Sequence, residues 1–298
     1  MNSNRDIANA IAVLVRDGYV FPEIAGRVSS YLTTQAAAGV YDALDEDTFA
    51  VLVTDELRTV SGDLHLRVCH ANDAHRPETA GDTVREQNDR AEHCRQMGYG
   101  IDPANRTNSG VAVLRIREFV EPSLSRNAFE SALNSVADAP ALVIDLRACV
   151  GGDPETVALV CSHLFDARTQ LSSVVPRAAP EAQFWANPSP YDKRFGGQKP
   201  VLIAVANFTF SGAEMLAYDL QVSGRATVVG AITGGGANPC AFHWPSPHFS
   251  LLLPEATSIN PITGTNWEGR GVVPDVVCAE EEALRIAILL AEKRIGIA

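Results

Sequence analysis

Five short aliphatic and β-branched runs constrain this chain most: LHLRV (64–68), VAVLRI (111–116), ALVIDL (141–146), VLIAVA (201–206) and ATVVGAI (226–232). They read as buried strands, and helical patterns separate them. Phe129, Leu133 and Val136 mark one helix, and Asp153-Pro154 supplies the cap and first turn of another through Leu164. FSLLLP (249–254) adds a strand, and residues 280–294 close the chain as an amphipathic helix. This alternation predicts an α/β core over residues 62–298. Upstream the texture is helical: Ile7, Ile11 and Leu14, then Ile24, Val28, Tyr31 and Leu32 behind Pro22, then Phe49, Leu52, Val53, Leu57 and Val60. Residues 1–61 are therefore expected to form a small three-helix domain, with the acidic DALDED stretch a solvated helix start. Residues 71–109, and residues 174–199 with Pro176, Pro180, Pro188 and Pro190, read as long loops.

Composition narrows the function classes. Of 298 residues 46% are hydrophobic, as in an ordinary globular protein, and 24 Lys and Arg stand against 36 Asp and Glu. A net charge of −12 with no basic run excludes nucleic acid as the expected partner. No stretch approaches the ~20 apolar residues of a membrane span, and the start lacks the marks of a leader peptide. The six cysteines are scattered without a CxxC pair. A cytoplasmic protein without membrane insertion, metal or cofactor is the expectation. Oligomeric state is not readable.

Four segments can carry chemistry. In VIDLRACVGGDPETV a strand ends at Asp145, and Gly151-Gly152 can present backbone N–H groups beside a helix start, as an oxyanion site requires. The same letters also fit a tight turn without a ligand. In VLIAVANFTFSGAEMLAYDL a strand runs into a helix at Ser211, where a serine hydroxyl at the positive helix end and the Gly212 N–H could serve acyl transfer. Ser211-Gly-Ala-Glu214 is equally a capping box. SGDLHLRV places His65 between a helix end and a strand, and INPITGTNWEGRGVVPDV carries Glu268 in a Gly-rich loop.

Taken in order, these segments resemble a known family. GYVFPEIAGRV, GDLHLRV (62–68), DLRACVGGDPETVALVCSHLF (145–165), NFTFSGAEMLAYDLQ (207–221), GAITGGGANP (230–239) and TGTNWEGRGVVPDV (263–276) are similar to the tail-specific or C-terminal processing serine peptidases. The likeness is to the branch of interphotoreceptor retinoid-binding protein, whose core is shared with the tricorn peptidase. The resemblance implies a crotonase- or ClpP-like α/β core with a mixed sheet behind the helical bundle. It further implies Ser211 as nucleophile, Gly212 with Gly151 and Gly152 as oxyanion hole, His65 as general base and Glu268 as supporting carboxylate. The expected activity is a serine peptidase-like hydrolase acting on a peptide or small acyl substrate.

Composition then bears on mechanism. Many relatives pair the serine with a lysine downstream, but that region reads ITGGGANP here, and the only lysines are Lys193, Lys199 and Lys293. If the chain is a serine hydrolase, a histidine must therefore activate Ser211, with His243 and His248 standing behind His65. The chain departs from the family pattern at Cys149, where an Asn is usual, and at Leu64, where the tricorn-like branch often has a serine, which leaves Asp63 or Glu268 to reach and orient His65 directly. Only about forty residues separate the His65 and VAVLRI segments, too few for a PDZ module of ~80 to 90 residues. Two alternatives stay open: an apolar-ligand (lipid- or retinoid-like) binding protein with Ser211 as a mere cap, and a repurposed acyl-transfer or cyclisation enzyme. Weaker signals are the Cys69, His70, His75, His93 and Cys94 group, which matches no zinc spacing, the Cys149 thiol, and Trp185, Trp244, Trp267, Phe242 and Phe249 as pocket-lining aromatics.

Overall fold

The computed structural model describes residues 3–70, 80–189 and 193–297. The chain divides into two compact units, Met1–Gln87 with Val174–Glu181 and Asn238–Ser258, and Asn88–Ser173 with Ala182–Ala237 and Ile259–Ala298.

The first unit holds α1 (Asn4–Gly18), α2 (Pro22–Ala37) and α3 (Glu46–Ser61), so the three expected helices form. Each start has a local cause: Ser3 and Asp45 cap α1 and α3, and Pro22 occupies the first turn of α2, where its missing N–H is no loss. Ile11, Val15, Val28, Leu32, Phe49, Val53 and Leu57 meet Leu251 and Leu253 in one apolar core. Those leucines belong to an antiparallel sheet in the order β1 (Arg67–His70), β10 (Phe249–Pro254), β9 (Cys240–Ser246). The strand expected over 64–68 begins only at Arg67, because His65 sits in a turn after Gly62, whose φ of +79° ends α3 in a left-handed cap.

The second unit is built on a six-stranded mixed sheet in the order β12-β8-β7-β4-β3-β2. Its strands are β2 (Asn105–Arg106), β3 (Ala112–Arg115), β4 (Leu142–Asp145), β7 (Val201–Val205), β8 (Thr227–Gly230) and β12 (Val276–Val277). The pairs from β3 to β12 are parallel, and β2 alone runs antiparallel at the edge. Alternate residues face opposite layers. Leu142, Ile144, Ile203, Val205 and Val228 meet α5 (Pro122–Val136), α6 (Pro154–Ser162) and α7 (Gly212–Val222). Val143, Leu202, Ala204 and Val229 meet Ala283, Ala287 and Ala291 on α8 (Glu280–Arg294). Burial on both faces is why these strands are continuously apolar. β5 (Thr169–Pro176), β6 (Ala182–Ala186) and β11 (Ala256–Ile259) form a further sheet.

Two expected loops are partly regular. Residues 71–109 contain α4 (Ala80–Gln96), invisible to periodicity because it has almost no apolar side chains. Good helix formers and polar contacts hold it instead: Arg90 donates to Glu118 and Glu121 at 2.8 and 3.1 Å, and Gln96 to Glu92 at 2.8 Å. Residues 174–199 contain the end of β5 and all of β6, obscured by the flanking prolines. Among the described residues no helix is long and apolar enough to cross a membrane.

Candidate active site

In open parallel sheets, chemistry collects where the strands end. Here the loops leaving the carboxyl ends of adjacent β4, β7 and β8 carry Gly151-Gly152, Ser211-Gly212 and Thr233–Ala237. Hydrogen bonds of one buried threonine, two of them to the neighbouring loops, tie them together. The Thr209 hydroxyl donates to the Leu146 carbonyl at 2.9 Å and accepts the Ala206 N–H at 2.9 Å, and its carbonyl accepts the Gly234 N–H at 3.0 Å.

Ser211 stands immediately before α7 with φ +53° and ψ −120°. Positive φ is uncommon outside glycine, and Tyr99 is the only other such non-glycine residue among those described. A capping serine has extended backbone. Ser3, Asp45 and Asp153 have it, with φ near −70° and ψ between 126° and 165°. Ser211 instead has the sharp strand-to-helix turn that lifts a nucleophile out of a sheet.

The paired glycines pack on that turn backbone to backbone. A Cβ on Gly151 would lie 2.7 Å from the Gly212 nitrogen and the Phe210 carbonyl oxygen, and 2.8 Å from the Ser211 Cβ. One on Gly212 would lie 2.7 Å from the Gly152 carbonyl oxygen and 3.0 Å from its nitrogen. Positive φ at Gly151 and Gly152, +100° and +129°, completes the case that only glycine fits. The Phe210 N–H donates to the Cys149 carbonyl at 3.2 Å, closing the cluster. Among the described residues nothing accepts the N–H of Gly152 or of Gly212.

Sequence reading missed the part Glu214 plays. Its fully buried carboxylate accepts the Ser211 N–H at 2.8 Å, the Thr233 hydroxyl at 2.5 Å, and the Gly235 and Gly236 N–H groups at 2.7 and 2.8 Å. Burial pushes its pKa up against those four donors. The capping box of Ser211 and Glu214 does form, so the Ser211 turn also caps α7, and its letters gave only the first of these four contacts. Glu268 lies in the same unit, and its Oε2 accepts the Ala237 N–H at 2.5 Å. Beside it, Trp267 is buried and donates its indole N–H to the Gly236 carbonyl at 2.8 Å, so it is core rather than pocket lining. Trp185 lines a cavity of about 280 Å³ with Arg126, Glu130 and His163, and neither Ser211 nor the paired glycines are among its lining residues.

His65 belongs to the first unit, buried beside Asp63. Asp63 Oδ1 accepts the His65 N–H at 2.9 Å and stands 3.7 Å from the ring Nδ1. Its Oδ2 accepts the Tyr19 hydroxyl at 3.1 Å and Asn238 Nδ2 at 2.9 Å. Burial works to raise the Asp63 pKa, but hydrogen bonds from His65 and Asn238 outweigh it and hold the carboxyl below its ordinary range. Of the other histidines considered, His243 pairs through Nε2 with Glu255 at 2.8 Å. His70 faces Asp47 at 2.9 Å and Glu46 at 3.0 Å, whereas His75 of the suggested metal group lies outside the described residues. Cys149 is buried, and desolvation pushes its thiol up to about 12, which makes it a packing residue.

Comparison with known proteins bears on the whole chain. Residues 110–278 match the model of peptidase family S41, and residues 2–98 match that of the N-terminal domain of the family in eukaryotic IRBP. A lipoprotein from Streptococcus agalactiae is similar at 15% identity and a TM-score of 0.62, over 99% of this chain and 98% of that one. The photosystem II D1 C-terminal processing protease is similar at 13% identity and 0.57, over 96% and 98%. The tricorn protease is similar at 12% and 0.61, over 95% of this chain and 36% of its own. These structures attest the fold. With the family model spanning more than half of its length, the chain belongs to peptidase family S41, the tail-specific and C-terminal processing serine peptidases, and carries that family's IRBP-type N-terminal domain.

Proposed function

We propose that the protein is a serine hydrolase in which Ser211 attacks the carbonyl carbon of a peptide or small acyl substrate. The observation that carries this reading is the backbone of Ser211 at φ +53°. Holding a non-glycine residue there costs on the order of 1 to 3 kcal/mol, which a helix cap does not need and an exposed nucleophile does. An apolar-ligand binder on the same fold has no use for it.

The remaining roles follow. The Ser211 hydroxyl proton passes to His65 as the Oγ–carbon bond forms, since no lysine follows Ser211 before Lys293. The tetrahedral oxyanion accepts the N–H groups of Gly212 and of the Gly151-Gly152 turn, fixed by the glycine packing. His65 returns the proton to the leaving group, an acyl-enzyme remains on Ser211, and water activated by the same histidine releases it. Glu268 supports the base and anchors the 235–237 turn through the Ala237 N–H. A fluorophosphonate probe tests this reading: one adduct forms on Ser211, none forms in Ser211→Ala, and His65→Ala is labelled far more slowly. A folded wild-type protein that takes no label overturns it.

A further inference from the structure

Leu64 stands where the tricorn-like branch often has a serine, which leaves open what holds His65 in its working orientation. We infer that Asp63 is the positioning residue of the base: its carboxylate fixes the His65 ring through Nδ1 and so sets Nε2 as the nitrogen that takes the proton. This rests on the hydrolase reading above and assigns a residue that reading does not use.

Three observations carry it. First, Asp63 binds the main chain of the histidine it serves: Oδ1 accepts the His65 N–H at 2.9 Å, which sets that same oxygen 3.7 Å from Nδ1. Movement of under an ångström makes this a hydrogen bond, and catalytic hydrogen bonds are often long before substrate binds. Second, the other carboxylate oxygen is held by the Tyr19 hydroxyl and by Asn238 Nδ2, so the group cannot swing away. Third, Asp63 is 2% and His65 7% exposed, so little water competes for the pair. The two donors on Oδ2 also favour the ionised form, which accepts from Nδ1–H and stabilises the imidazolium formed when Ser211 gives up its proton. Tyr19 and Asn238 lie far from residue 63 in sequence, one in the turn after α1 and one before β9. The two-residue D-x-H spacing suggests the pair, and folding supplies the two groups that hold its carboxylate.

The test compares Asp63→Asn with Glu268→Gln in the full chain, using a fluorophosphonate probe whose inactivation rate constant and apparent binding constant are separated by varying its concentration. Asparagine keeps the shape but offers the wrong partner to Nδ1–H. The expected result is a fall in the rate constant on the order of 10²- to 10⁴-fold, with the binding constant unchanged and partial recovery in Asp63→Glu. The far-downfield Nδ1–H proton signal of His65 is expected in the wild type and in Glu268→Gln, and absent in Asp63→Asn. The spectrum is read on folded protein, and if Asp63→Asn does not fold, Asp63→Glu must keep the signal. An Asp63→Asn protein that labels at the wild-type rate, or a signal lost only in Glu268→Gln, overturns the assignment. In either case wild-type labelling at Ser211 still stands, so failure here is distinct from failure of the hydrolase reading, in which wild type itself takes no label.

Discussion

Two helices of the second unit start in the same setting, both behind a capping residue, but with different backbones at that residue. α6 and α7 both follow buried parallel strands, and both begin with letters that read as a cap. At α6, Asp153 is extended and its carboxylate accepts the Glu155 N–H at 2.7 Å and the Thr156 N–H at 3.4 Å, with Pro154 in the first turn. At α7, Ser211 occupies positive φ, and the neighbouring Glu214 turns away from a purely local role to hold Thr233, Gly235 and Gly236. One start is optimised for the helix. The other holds a strained serine against a glycine pair, and such strain persists only where the surroundings over-determine it.

That contrast can be broken by substitution. The largest effect is expected from Gly151→Ala, which sets a Cβ 2.7 Å from backbone atoms at φ +100° and must displace the elbow. Fluorophosphonate labelling should fall by roughly 100-fold or more, in the range reported for loss of one oxyanion donor; labelling at the wild-type rate would show that the glycine pair does not shape the site. Glu214→Gln comes next. An amide replaces one acceptor oxygen with a donor facing two N–H or O–H groups, and chemical denaturation should show a loss of about 2 to 5 kcal/mol.

The sharpest pair is smaller. Asp153→Ala should cost about 1 kcal/mol as a lost cap, whereas Ser211→Gly should raise stability by up to about 1 kcal/mol by relieving positive φ. If both destabilise alike, Ser211 is an ordinary cap. The smallest effect concerns acid. Because the Asp63 pKa is lowered on folding, it adds stability above the ordinary carboxylate range, and that stability is lost as pH falls through the lowered value. The difference in unfolding free energy between wild type and Asp63→Asn should therefore shrink as pH drops below about 4; a difference independent of pH would contradict an ionised Asp63.

Much of this was legible in the sequence, for physical reasons that also mark where legibility ends. α8 could be read because its buried Ala283, Ala287 and Ala291 recur every fourth residue behind Glu280–Glu282 in the first turn. β4 and β7 could be read because burial on both faces makes them continuously apolar. α4 could not, because Arg90 anchors it to Glu118 and Glu121 rather than through an apolar face. The glycine pair and Ser211 were visible as letters, but S-x-x-E serves a cap and an elbow equally well, and only the backbone angles separate the two. Glu214 was half visible, since three of its four donors come from 19 to 22 residues downstream. Asp63 was visible as a neighbour of His65, while Tyr19 and Asn238, which hold it, arrive by folding from 44 and 175 residues away.

The central claim is that Ser211 is strained because it is a nucleophile. It is tested most directly by exposing the folded 298-residue chain to a fluorophosphonate and reading intact mass followed by peptide mapping. One adduct on Ser211, absent from Ser211→Ala, is the predicted result. No adduct on folded protein, or one on another residue, would contradict it.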